Sequence, residues 1–127
     1  MTEWVDQQLA LLRTQWPDLT YLDDGHWVRV DDWVLPAGWA PTELNLAFQI
    51  KPTAGEPPYA FYVSSTDVAF NGQTPQSWTP AASVPFDGTW SVFSWAPETW
   101  IPTVNPHAGP NMLAFARSFS ARFAEGA

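Results

Sequence analysis

The sequence contains no cysteine, which excludes disulfides, thiolate metal sites and thiol nucleophiles. Histidine occurs only twice, as His26 and His107, and the two lie far apart and outside any spaced ligand motif. The short acidic pairs Asp23-Asp24 and Asp31-Asp32 lack the alternating oxygen ligands and closing glutamate of a calcium loop. We therefore expect no bound metal and no cofactor.

Basic residues are also few: five Lys and Arg stand against 13 Asp and Glu, for a formal net charge of −8 at pH 7. Such a field repels phosphate backbones and anionic membrane surfaces. The chain lacks an apolar run near the roughly 20 residues that a membrane span needs, and its first residues do not resemble a signal peptide. The sequence predicts a soluble, cytoplasmic protein that binds neither nucleic acid nor membrane. A protein partner with a basic face is compatible with the charge.

The remaining composition supports one folded domain over residues 1–127, since 46% of the residues are hydrophobic and 16% aromatic. Residues 3–16 carry apolar side chains at helical spacing, with Thr2 as N-cap and Pro17 as the stop. A second helix is predicted after Pro110 from an apolar stripe at helical spacing. The stripe consists of Met112, Phe115, Ala116, Phe119 and Phe123.

Between the helices, strand patterns predict a four-stranded antiparallel meander. The strands are residues 19–22, 26–30 with a bulged extension to 35, 42–50 and 60–63. Residues 64–89 contain prolines, Asn71-Gly72 and Asp87-Gly88, which predict a long, ordered but irregular loop. The expected fold class is α+β: an N-terminal helix, the meander, the long loop and a C-terminal helix.

Three local patterns follow this order. Leu35-Pro36-Ala37-Gly38-Trp39 leads into the third strand, and Glu56-Pro57-Pro58-Tyr59 leads into the fourth. Trp100-Ile101-Pro102 precedes the closing helix. Together they resemble the ubiquitin-conjugating (E2, or UBC) fold, in particular the divergent bacterial E2-like proteins of the prokaryotic family E type. The resemblance covers roughly residues 3–123 and implies an E1-like activating enzyme and a ubiquitin-like protein as partners.

The chain departs from the family at its chemical centre. An E2 carries its cargo as a thioester on a cysteine a few residues before the Trp-x-Pro, and no cysteine exists here. Ser94, and after it Ser91, stand where the resemblance places that nucleophile. Either hydroxyl would need a base to accept the cargo as an oxyester. His107 is the candidate base, oriented by Glu98 or Asp87; the alternatives are turn serines and a solvated loop histidine.

Asn71 is the nearest counterpart of the asparagine in the family's His-Pro-Asn motif, which is otherwise absent. The resemblance implies that it donates a hydrogen bond to an oxyanion, whereas Asn-Gly by itself is typical of a plain turn. E2 proteins meet their partners through the first helix and the loops near the active site. This makes Trp4, Arg13 and Trp95 interface candidates.

Two other functions stay open. The chain could be a non-catalytic E2 variant that acts as an adaptor. It could also be an aromatic-rich module for a glycan or peptide, since nine tryptophans are present. That second alternative predicts an exposed row of Trp39, Trp78 and Trp95 on one concave face.

Overall fold

A computed structural model describes residues 3–51, 58–75, 78–94 and 111–124 of the chain. These residues form an α+β structure with helices on one face of an antiparallel sheet. The elements are α1 (Glu3–Gln15), β1 (Thr20–Leu22), β2 (Trp27–Val34), β3 (Trp39–Ala40), β4 (Glu43–Gln49), β5 (Phe61–Val63), β6 (Ala69–Phe70), β7 (Trp78–Ala82), β8 (Trp90–Phe93) and α2 (Met112–Ala124).

The first predicted helix is confirmed as α1. Val5 and Leu12 are fully buried on its inner face, and Gln8 between them is buried too. The Trp16 amide donates to the Leu12 carbonyl at 2.9 Å, which closes the last turn. Pro17 follows and cannot continue the helix, because it has no amide hydrogen to donate.

The main sheet runs in the order β1-β2-β4-β5-β8-β7, with every neighbouring pair antiparallel. The predicted hairpin between β1 and β2 is confirmed, and Gly25 in its turn has a φ of +84°. The predicted bulge is also confirmed, since the β2–β4 register shifts between Val30 and Trp33. Asp32 within the bulge has a φ of +58°, a conformation that Asp adopts more readily than most residues.

The prediction of a four-stranded meander followed by an irregular loop is wrong in one respect. Residues 64–89 contain β6 and β7, and β8 returns to pair with β5, which makes the main sheet six-stranded. β6 pairs with β3 in a separate two-stranded sheet. Pro80 favours the prediction of a loop, because proline cannot donate a backbone hydrogen bond to a neighbouring strand. It lies instead in the edge strand β7, where one side of the backbone has no neighbouring strand to pair with.

The core lies between the main sheet and the two helices. Every residue of the predicted α2 stripe is buried, so that prediction is confirmed. Phe119 is at its centre: its ring lies 4.3 Å from that of Phe61, 5.6 Å from Phe48 and 4.9 Å from Phe115, centroid to centroid. α2 is also tied to α1, because the Met112 amide donates to the Gln8 side-chain oxygen at 2.6 Å.

The opposite face of the sheet carries a smaller apolar cluster. Ala47, Phe86 and Trp90 are buried there, and Trp27 and Tyr62 pack beside them with ring centroids 5.2 Å apart. The segment before β8 thus covers part of this face.

Within the described residues, neither helix has the length and apolar character needed to cross a membrane. The same residues contain no group of three or more His, Asp or Glu placed to hold a metal ion.

Replacing Phe119 by Ala should lower the free energy of unfolding by about 3–5 kcal/mol, because removal of this fully buried ring leaves a cavity at the centre of the core. Urea denaturation followed by circular dichroism measures the change. The neighbouring exposed residue supplies the control: Ser120→Ala should stay within about 0.5 kcal/mol. A loss below about 1 kcal/mol for Phe119→Ala would contradict the central position of this ring.

Candidate functional site

Ser91 lies in β8 with its side chain fully buried. Its hydroxyl donates to the Ser65 carbonyl and accepts a hydrogen bond from the Trp78 indole N–H at 2.7 Å. One bond joins β8 to the chain just after β5, and the other joins β8 to β7. The hydroxyl is therefore occupied in joining β7, β8 and the turn after β5, and a substrate has no access to it in this structure.

Ser94 directly follows β8 and is exposed. Its Oγ accepts a hydrogen bond from the Tyr59 hydroxyl at 3.1 Å, and Tyr59 is itself 58% exposed. The phenol is the donor in this bond, so it does not take the proton of the serine. Among the described residues, no imidazole or carboxylate is hydrogen-bonded to Ser94. Ser94 is thus the accessible serine of the two, without a general base in the described part of the chain.

Asn71 lies in a tight turn after β6, with a φ of +50°. Its amide donates to the Gly38 carbonyl at 2.7 Å, and Phe70 and Gln73 close the turn with a pair of backbone bonds. Gly38 has a φ of +99°, and a Cβ there would approach the Asn71 side-chain oxygen to 2.7 Å. The turn fully accounts for an Asn-Gly pair, and no hydrogen bond joins Asn71 to Ser91 or Ser94 among the described residues.

Several candidates lie outside the described residues. These are His107, Glu98, Trp95, the Trp100-Ile101-Pro102 pattern and the Glu56-Pro57 part of the second pattern. Asp87 is described: it is exposed, and its backbone carbonyl accepts a hydrogen bond from the Trp90 indole at 3.1 Å.

The interface candidates on α1 differ in exposure. Arg13 is exposed in the last turn, where its positive charge also complements the helix C-terminus. Trp4 is half-buried and packs against the core, so only part of its ring is exposed.

The row of exposed tryptophans predicted by the glycan-binding alternative does not form in the described residues. Trp39 is only 4% exposed, and its indole N–H donates to the Phe123 carbonyl at 2.8 Å. Its ring packs edge-on against Phe93 and Phe123. The expected exposure of Trp39 is therefore wrong, because the two-residue strand β3 turns this side chain into the core. Trp78 is half-buried on Ser91.

The corner near Ser94 holds two tyrosines in different environments. The pKa of Tyr62 is raised, first by burial and then by the neighbouring Tyr59. The folded chain therefore favours the neutral phenol at Tyr62.

A surface groove that the sequence did not reveal lies between the end of α1, the β2 bulge and α2. Two adjoining cavities of about 310 and 320 Å³ form it and share Trp16, Asp31 and Asp32. The available signals were the acidic pair inside a strand pattern and a tryptophan at the very end of a helix. Neither signal shows that the two come together.

No protein-family model, no curated protein and no solved structure matches the chain.

Replacing Ser91 by Ala removes the acceptor of the Trp78 indole and one donor to the Ser65 carbonyl. We expect the free energy of unfolding to fall by about 1–3 kcal/mol, the usual cost of leaving a buried polar group unpaired. Urea denaturation measures it, with Ser94→Ala as the matched exposed control that should change it by no more than about 0.5 kcal/mol. Equal effects of the two substitutions would contradict the structural role of Ser91.

The raised pKa of Tyr62 predicts a loss of stability at alkaline pH. The unfolded chain loses the phenolic proton near pH 10, before the folded chain does. Stability from this group is present below pH 10 and is lost as the pH rises through the folded value. Tyr62→Phe should make the decline above pH 10 shallower in thermal melts, and Tyr59→Phe should change it less. An unchanged decline in Tyr62→Phe would overturn the assignment.

Proposed function

We propose that the chain is a non-catalytic E2-like component of a ubiquitin-like conjugation pathway, an adaptor that binds an E1-like enzyme or a ubiquitin-like protein. The E2-like part rests on the order of sequence patterns, and an α+β structure with a helix, an antiparallel sheet and a closing helix is compatible with it. The adaptor part rests on the surroundings of the two candidate serines, Ser91 and Ser94.

The main support for the adaptor proposal is the burial and hydrogen bonding of the Ser91 hydroxyl. This hydroxyl is buried and makes two hydrogen bonds that hold the sheet together. An oxyester at this position would require both bonds to break and the strand edge to open. Ser91 is therefore better suited to supporting the fold than to carrying cargo.

Ser94 supports a second candidate, transfer through a serine oxyester. Its hydroxyl is exposed and lies where the resemblance places the nucleophile. Attack by a serine needs removal of the hydroxyl proton as the new C–O bond forms, and the donor Tyr59 does not supply that base. This weighs against Ser94 within the described part of the chain and leaves the adaptor as the stronger proposal.

The test is to mix the protein with the E1-like enzyme and ubiquitin-like protein of its source organism and ATP, and to record intact mass and gel filtration. The adaptor proposal predicts a complex without a covalent adduct. An adduct that resists reducing agent, is cleaved by hydroxylamine and disappears in Ser94→Ala would instead establish the oxyester enzyme. Absence of both complex and adduct would overturn the E2-like proposal itself.

Charge reversal on α1 checks where the partner binds. Arg13→Glu should weaken the complex about tenfold. The exposed Arg13 guanidinium would attract a carboxylate of the partner, and a glutamate in its place would repel that carboxylate. Lys51→Glu, the same charge reversal on the chain after β4, is the matched control and should leave the affinity within about twofold. Equal losses for both would indicate a general charge effect.

A further inference from the structure

The groove between α1, β2 and α2 has walls of unlike character. One cavity extends from Trp16 and Trp33 to α2, and the other extends along the chain after α1. The α2 wall contributes Arg117 and Ser120, and the other end is bounded by Pro17, Asp18 and Leu19.

The aromatic wall consists of two tryptophans in contact. The Trp16 and Trp33 rings lie 5.3 Å apart, centroid to centroid, with their planes inclined by 34°. Trp33 is held in place from below by Phe119, whose ring centroid lies 6.1 Å away. Trp33 is buried and Trp16 is only half-buried, so Trp16 presents part of its ring to the groove on a rigid base.

Carboxylates stand beside this aromatic wall. Asp31 is paired with Arg29, whose Nε lies 2.8 Å from its Oδ1. Asp32 and Asp18 are exposed, and among the described residues neither carboxylate has a hydrogen-bond or ion-pair partner. The Asp32 backbone is fixed, because its amide donates to the Asn45 side-chain oxygen at 3.1 Å. The bulge therefore places at the edge of the groove a negative charge that forms no ion pair with a described residue.

We propose that this groove binds an arginine or lysine side chain presented by an extended segment of a partner protein. An aromatic face and a free carboxylate are the two groups that attract such a cation, the first by its π electrons and the second by charge. The net charge of −8 favours a basic partner over a long range. This inference does not depend on the E2-like proposal.

Arg117 sets the orientation of the bound segment. It lines the α2 wall and donates to the Gln15 side-chain oxygen at 3.1 Å. A cationic head is repelled by Arg117 and is drawn to the Asp18 and Asp32 side, beside Trp16. The backbone carbonyls of the same segment can accept hydrogen bonds from Arg117.

Other occupants fit the groove less well. A second copy of this chain carries the same −8 charge, so its approach is opposed by repulsion. A divalent ion prefers a cage of several oxygen ligands, and the described residues hold no group of three or more His, Asp or Glu placed for one.

The experiment titrates the 15N-labelled protein with blocked tripeptides and follows the Trp16 indole resonance by NMR. The probes are Gly-Arg-Gly and Gly-Lys-Gly, with Gly-citrulline-Gly and Gly-norleucine-Gly as neutral counterparts of the same shape. We expect saturable shifts of the Trp16 resonance with the cationic peptides only, and weaker binding in 0.5 M salt as surface charges are screened, at a Debye length of about 4 Å.

Charge removal separates the groove from the general field of the protein. Asp32→Asn keeps a residue that tolerates positive φ and should raise the dissociation constant about three- to fivefold. Asp24→Asn removes the same charge from the exposed β1–β2 turn, away from the groove, and should leave it within about 1.5-fold. The indole spectrum of each variant shows directly that it is folded.

Three results would overturn the proposal. The first is an equal shift with the citrulline or norleucine peptide, which would show that the groove binds uncharged side chains as well as cationic ones. The second is an equal loss of affinity in Asp24→Asn and Asp32→Asn. The third is displacement of the peptide by calcium chloride at ionic strength matched with sodium chloride, which would identify the carboxylates as a metal site.

Discussion

The packing of α2 on the sheet creates the aromatic core of the protein. Phe119 and Phe123 of α2 meet Phe61 of β5 and Phe93 of β8, so one helix joins the middle strands into one core. Trp39 closes the far end, where its indole binds the carbonyl of Phe123. Aromatic rings supply large buried areas, and their edge-to-face contacts add directional preference to simple burial. The short strands β3 and β5 each contribute one ring, Trp39 and Phe61, that packs against Phe123.

The exposure of Ser91 and Ser94 depends on their positions relative to β8 in the same sheet. In an extended strand, successive side chains alternate between faces, so the register of β8 with β5 puts Ser91 opposite Val63, on the side of the helices. The polar group buried there requires partners and finds them in Trp78 and Ser65. Ser94 lies where the strand has ended, which leaves its hydroxyl exposed. Two serines three residues apart therefore differ in exposure, because β8 ends between them.

The β2 bulge shapes the edge of the proposed binding groove. Without the extra residue, Asp31 and Asp32 would alternate between the buried and exposed faces of a regular strand. The bulge keeps both exposed while Val30 and Trp33 on either side remain buried. The same change brings Asp32 next to Trp16 at the end of α1. The exposed Asp32 carboxylate beside the aromatic wall is therefore a product of the local break in the sheet.

Local periodicity and turn chemistry are enough to predict the two helices, the hairpin, the bulge and the apolar stripe of α2 from the amino-acid sequence. The sequence also determined that no thiol chemistry is available, since the chain has no cysteine. The pairing of β8 with β5, the burial of Trp39 and the groove that Trp16, Asp18 and Asp32 line are visible in the folded chain alone. These features join residues far apart in the chain, and strand pairing between them is set by which core contacts are made together. Local pattern carries no information on that choice, so the burial of Ser91 and the accessibility of Ser94 could not be distinguished beforehand.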